Sequence, residues 1–144
     1  MDPASKVLLV AGGVFFLTGL ISGIWKYRRI LASEDASAPV YVDVTHRASL
    51  MYAFSTVVIQ RFVDASTLSD TVELIAVLAQ VVFFALAIGT YVIHGLLRDT
   101  DNQLERPHRL GARELPAFVI RSFMGALILG EVGGFVVLVV GALV

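Results

Sequence analysis

Four long apolar stretches alternate with short polar ones along the chain. The first runs without a charge from Val7 to Trp25 and is closed by Lys26, Tyr27, Arg28 and Arg29. About 20 such residues in helical form cross a hydrocarbon layer roughly 30 Å thick. Trp25 and Tyr27 are of the aromatic type that settles at headgroup level. The run is long for a removable leader and has no clear small-residue cleavage site, so it is read as a retained span. After the polar loop Ser33–Pro39, Pro39 suits the first turn of a second helix. The charge-free part of that helix, Ala48 to Ile59, is short, with Asp43, His46 and Arg47 on its first two turns. A turn over Ser66–Thr71, with Asp70 as helix cap, leads into the longest apolar run, Val72 to Leu97. A charged loop, Arg98–Glu114, then precedes the last run. The pattern predicts an all-α, integral membrane four-helix bundle. It forms one domain over about 1–144, with spans at about 6–27, 40–63, 72–97 and 116–143.

Composition agrees: 57% of the 144 residues are hydrophobic and 16% charged, with a mean hydropathy of +0.81. Soluble domains carry about a quarter charged residues. With no cysteine, disulfides, thiolate metal sites, covalently attached c-type haem and thiol nucleophiles are excluded. A formal net charge of -1 offers no basic surface for nucleic acid. The first and third loops and their flanks hold nine of the eleven Lys and Arg residues, the exceptions being Lys6 and Arg61. Positive charge stays on the cytoplasmic side, so both termini are expected on the non-cytoplasmic side, in a bacterial cytoplasmic membrane.

Small residues let helices approach in lipid, where no hydrophobic drive between helices exists. Gly19 and Gly23 form one GxxxG pair, and Ala126, Gly130 and Gly134 repeat the spacing in the last span, beside Gly133. These faces serve packing within one chain, contact between copies, or both.

Polar and titratable groups at membrane depth point to function by default. His46, His94, Gln80 and Glu131 stand out, with Tyr52 and Tyr91 as polar aromatics. The topology places His46 and His94 at similar depth near the cytoplasmic side, which His108 in the third loop also faces. Neutral imidazole ligates metals and haem iron. Asp43, one turn before His46, is placed to accept the second ring N–H, while Ser49, Leu50 and Ala53 continue that face with room for a flat cofactor. The competing reading of the histidines is an interfacial set solvated by headgroups. Glu131, mid-span, reads either as a proton or cation relay or as a buried hydrogen bond, with Gln80 as a partner. Soluble-enzyme motifs such as HExxH and GxSxG are absent, and Gly12-Gly13 lies within a span rather than in a phosphate loop.

The layout resembles the small four-span membrane family of styrene oxide isomerase. The likeness lies in a span, a polar loop and a histidine at the start of span two. It also lies in the run Thr45-His46-Arg47-Ala48-Ser49-Leu50-Met51 and in Gly89-Thr90-Tyr91 late in span three. The resemblance implies haem b held in the membrane, with ferric iron opening an epoxide to a carbonyl compound. His46 would be the axial metal ligand and Tyr91 a pocket residue near the iron. It also implies a homo-oligomer, a trimer with haem between protomers. Two positions depart from the family: Tyr52 stands where it has an asparagine, and Phe83 where it has a pocket aspartate.

The expected function is therefore a membrane haem-b protein with Lewis-acid isomerase, redox or gas-binding chemistry. Tyr52 and Tyr91 are its candidate catalytic residues, and His46, Asp43, Arg47, Ser49, Ala53 and His94 line its cofactor. Arg47, Arg98 and the Arg28-Arg29 pair are candidate propionate partners. The alternatives are a cofactor-free accessory subunit of a larger membrane complex and a small transporter or proton path through Glu131.

Overall fold

A computed structural model describes residues 1–144 and consists of four long helices: α1 (Pro3–Leu31), α2 (Val40–Ala65), α3 (Asp70–Leu97) and α4 (Ala117–Leu143). Short connections fold α1, α2 and α3 up and down. α1 packs along α2, α3 lies against both, and α4 packs on α3 and α2. Three helices, α1, α3 and α4, are long and apolar enough to cross a membrane. α2 is nearly as long, but Asp43, Arg47, Arg61 and Asp64 near its ends dilute its apolar character.

The local sequence accounts for the helix ends. Asp2 caps α1 by accepting the Ser5 backbone N–H at 2.7 Å, and Pro3 occupies the first turn. α1 therefore starts before the expected span and continues past it through Arg28 and Arg29, whose charge suits a helix C-terminus. Pro39 precedes α2 as expected. The residue before α3 is Ser69, so Asp70 falls in the first turn instead of serving as the cap. Arg98 ends α3 in the left-handed conformation (φ 51°), and the chain leaves the bundle there.

The loop after α3 contains a feature the sequence pattern gave no sign of. Arg109–Leu110 (β1) and Arg113–Glu114 (β2) pair antiparallel, with Arg109 opposite Glu114 and Leu110 opposite Arg113. Gly111 makes this turn at φ 61°, a conformation that costs glycine nothing. At the opposite end, the α2–α3 turn closes over α4. Thr67 donates to the Gly141 carbonyl from its backbone N–H at 2.9 Å and from its hydroxyl at 3.2 Å.

Only 28 of 144 residues are buried, so most apolar side chains point outward. The core is a thin seam: Leu8, Ala11 and Phe15 from α1, Ala53, Ile59 and Val63 from α2, Ala76, Val77, Phe84 and Ile88 from α3, and Leu138 from α4. Of α4, only Gly134, Leu138 and Gly141 are fully covered. An apolar exterior of this extent suits lipid and is costly in water.

Candidate functional site

Glycines in α1 set the geometry around His46. Along the α1–α2 seam, a Cβ at Gly12 would lie 2.5 Å from the Thr56 hydroxyl, one at Gly19 2.6 Å from Leu50, and one at Gly23 2.9 Å from the His46 ring. Because Gly23 lacks a side chain, the imidazole can lie close against α1. From there His46 Nδ1 reaches the Gly19 carbonyl oxygen at 2.7 Å. A carbonyl only accepts, so Nδ1 carries a hydrogen, and in the neutral ring the Nε2 lone pair is free. No protein group bonds Nε2, and it is not enclosed.

Asp43 is committed elsewhere. It bridges Lys26 of α1 at 2.5 Å and Arg47, one turn on, at 2.6 Å. The expected carboxylate partner of His46 is thus replaced by a backbone carbonyl of the neighbouring helix. The expected open face beside His46 is also closed. Ser49 is wholly buried, Ala53 is buried in the seam, and Leu50 fills the space over Gly19. At Gly19 it is Leu50 of α2 that fills the space between the two helices. Arg47 remains exposed beside the site.

His94 belongs to a second cluster, at the loop end of α3. Its Nδ1 lies 2.7 Å from Asp99 Oδ1, both side chains being almost completely buried. The other Asp99 oxygen accepts the Gly111 backbone N–H at 2.6 Å, so one carboxylate joins the end of α3 to the β-turn. Burial pushes the Asp99 carboxyl upward, but the His94 and Gly111 hydrogen bonds outweigh it and hold Asp99 below the usual carboxylate range. The Tyr41 ring leans on His94 (centroids 5.1 Å apart) and stacks with Tyr91 (6.0 Å). The Tyr41 hydroxyl accepts the Gln103 backbone N–H at 2.6 Å. Sequence reading passed over Asp99 and Tyr41. The available signals were an acid five residues after a histidine across a helix end, and a tyrosine in the first turn of α2.

The third group lies deeper. Tyr52 of α2 stacks on Phe84 of α3 (4.3 Å), and its hydroxyl, that of Tyr91 and the Glu131 carboxyl of α4 face one another. Glu131 Oε1 is buried without a partner, as is Ser49 Oγ. Gln80 does not pair with Glu131. Its amide donates to the Ala76 carbonyl at 3.1 Å, and it packs where Gly134 leaves room. His108 is buried in the loop, apart from a metal-type set: nowhere do three His, Asp or Glu side chains gather around one point.

No family model, curated protein or solved structure matches this chain.

Proposed function

We propose that this chain is an integral membrane protein of four spans, with both termini on the non-cytoplasmic face, and that it binds haem b through His46. The observation that carries the haem reading is the imidazole fixed through Nδ1 to a backbone carbonyl, with Nε2 unpartnered. A second hydrogen bond of this kind orients a ligating histidine and strengthens it as a donor. The donor set fits the group: a neutral imidazole nitrogen for iron, and Arg47 beside it for a propionate, which suits a guanidinium. The proposal includes a homo-oligomer such as a trimer, in which a second copy would cover a group held by His46 Nε2. When bound, haem would supply a Lewis acid for epoxide opening, or a redox or gas-binding centre. The chain's own part is to hold the ring, through Gly19 and the bare surface of Gly23, and to place positive charge beside it.

The test is a visible absorption spectrum of detergent-purified protein, oxidised and dithionite-reduced. A Soret band that is lost in His46→Ala, and weakened when Gly23→Ala displaces the ring, supports the assignment. Unchanged haem content in His46→Ala overturns it. Epoxides are then the first substrates to test, with Tyr52→Phe and Tyr91→Phe measured separately.

A second reading, a cofactor-free accessory subunit of a larger membrane complex, is favoured by α4. Most of that helix is uncovered, and the surfaces at Gly125 and Gly133 are bare. Colourless protein that co-purifies stoichiometrically with other chains would favour it over the haem reading.

A further inference from the structure

Two clefts adjoin at the loop end of α1 and differ in character. One, of about 390 Å³, lies between the end of α1, the loop before α2 and Arg98 at the end of α3. The other, of about 550 Å³, lies on α1 over Ile21, Ile24 and Trp25. Arg29 and Ala32 line both, so the polar cleft borders the apolar one. We propose that together they hold one anionic glycerophospholipid, its phosphate against Arg29 and Arg98 and an acyl chain along Ile21, Ile24 and Trp25. The inference rests on the membrane-spanning reading above and needs no haem.

Charge identifies the occupant. Arg28, Arg29 and Arg98 all line these clefts, and none has a carboxylate within salt-bridge distance. The ion pairs of the chain are Lys26–Asp43, Arg47–Asp43, Arg61–Asp64 and His94–Asp99. Asp101 is the one acid in the lining, so three guanidiniums stand against a single carboxylate. The Ser33 and Ser37 hydroxyls bond within their own loop, which leaves recognition to the arginines. Arg98 takes the left-handed turn (φ 51°) that glycine usually occupies at a helix end, so an arginine stands at the cleft. α2 also starts here, at Val40, with no side chain capping its first N–H groups, and the positive end of its dipole adds to the arginines. Charge alone would suit any small anion, but these arginines stand at the end of an apolar face. Ile21 and Ile24 are exposed, and Trp25, an aromatic of the interfacial kind, rests its ring where Gly95 leaves α3 bare. A phosphate joined to acyl chains matches both halves, as in other basic pockets between spans that hold lipid headgroups. A zwitterionic lipid offers the same chains but brings a cation to the arginines.

Trp25 is the only tryptophan, so its fluorescence reports on this place alone. The full chain is reconstituted in phosphatidylcholine vesicles in which a fixed fraction of lipid is brominated near the headgroup end of an acyl chain. That fraction is either phosphatidylglycerol or phosphatidylcholine. Brominated phosphatidylglycerol should quench Trp25 with an apparent affinity about tenfold or more above that of brominated phosphatidylcholine. Arg29→Gln and Arg98→Gln should each lower this preference about fivefold, whereas Arg29→Lys, which keeps the charge, should retain most of it. Arg113→Gln, at an exposed basic residue of the same side outside both clefts, should leave it unchanged, as should His46→Ala. Circular dichroism shows whether each variant is folded. Equal quenching by the two lipids in the unsubstituted protein overturns the proposal. An equal loss in Arg113→Gln also overturns it, by showing a general surface attraction, and a loss in folded His46→Ala does so by assigning the arginines to haem propionates. No quenching even in vesicles made wholly of brominated phosphatidylcholine overturns the spanning reading itself, and this inference with it.

Discussion

Gly133 and Gly134 are neighbours on α4 with opposite surroundings, and replacing each by alanine isolates what helix packing contributes. A Cβ at Gly133 meets nothing within 4 Å. A Cβ at Gly134 would lie 2.6 Å from the Ala76 carbonyl oxygen and 3.1 Å from Gln80 Cγ. Ordinary contact begins near 3.4 Å, so α3 and α4 must part by about 0.8 Å at that point, or Ala76 must move. The carbonyl belongs to the helix backbone and cannot rotate aside as a side chain can. Both substitutions gain the same helix preference, about 1 kcal/mol for Gly→Ala, so this term cancels in the comparison. The difference is the overpacking cost, about 1–3 kcal/mol, with loss of close α3–α4 contact below the crossing adding to it. Gly134→Ala should therefore be less stable than Gly133→Ala by about 2 kcal/mol, roughly a 30-fold change in the folded-to-unfolded ratio. Unfolding in mixed dodecylmaltoside–SDS micelles, followed by circular dichroism, measures it. Equal midpoints would refute the claim that α4 is fixed by this crossing. A lower midpoint for Gly133→Ala would show that its bare surface is covered by another copy or chain.

Four further predictions concern the two histidine clusters. Gly23→Ala should displace the His46 ring and weaken its bond to Gly19. Histidine NMR in detergent should show His46 losing its fixed tautomer, while Gly13→Ala, where a Cβ meets nothing, leaves it unchanged. Asp99→Asn removes a charged acceptor from His94 and Gly111 and should loosen the loop by about 1.5–3 kcal/mol, read as faster proteolysis between Arg98 and Glu114 at pH 7. The same linkage sets a pH dependence. Asp99 is held below its unfolded value, so its contribution is complete above the ordinary carboxylate range and is lost as pH falls through the lowered value. Protection of the loop should therefore decline only in acid, and Asp99→Asn should remove that acid step. Tyr41→Phe frees the Gln103 N–H and should cost about 0.5–1.5 kcal/mol of loop protection by hydrogen exchange, with α2 and α3 unaffected.

Helix positions were legible because each depends on neighbours in sequence. Pro39 starts α2, and the charged stretch after Leu97 ends α3, so these boundaries agree with expectation. α1 ran longer at both ends because Asp2 with Pro3 caps it early and Arg28 and Arg29 favour its continuation. The partners of the functional residues were less legible, because they come from other elements. Spacing within α2 put Asp43 one turn from His46, yet Lys26 of α1 competes for that carboxylate. Spacing likewise showed that Ser49 and Ala53 share a face with His46, but not that α1 would lie against it. Gln80 and Glu131 are both polar and both deep, yet Gln80 bonds within its own helix. Tyr52, Tyr91 and Glu131 were each singled out as polar groups in apolar stretches, but spacing did not show that Tyr52 would stack on Phe84 and Tyr91 on Tyr41.

The two kinds of signal in α1 are linked. Gly19 and Gly23 were read as a packing motif and His46 as a candidate ligand, as though independent. In the folded chain the bare surface at Gly23 is what admits the imidazole, and the backbone it exposes supplies the acceptor at Gly19. A larger residue at either position would move the α2 backbone or the ring, and so change which nitrogen is free. Close helix approach therefore determines the orientation of the imidazole as well as the stability of the seam. The same reasoning separates the two deep polar residues, Gln80 of α3 and Glu131 of α4. Gln80 can satisfy itself because Gly134 leaves space for its amide to turn back to Ala76, whereas Glu131 has no backbone acceptor or cation within reach. A residue that spacing alone marks as a polar group in an apolar helix thus has a buried oxygen, Oε1, that the fold leaves unsatisfied.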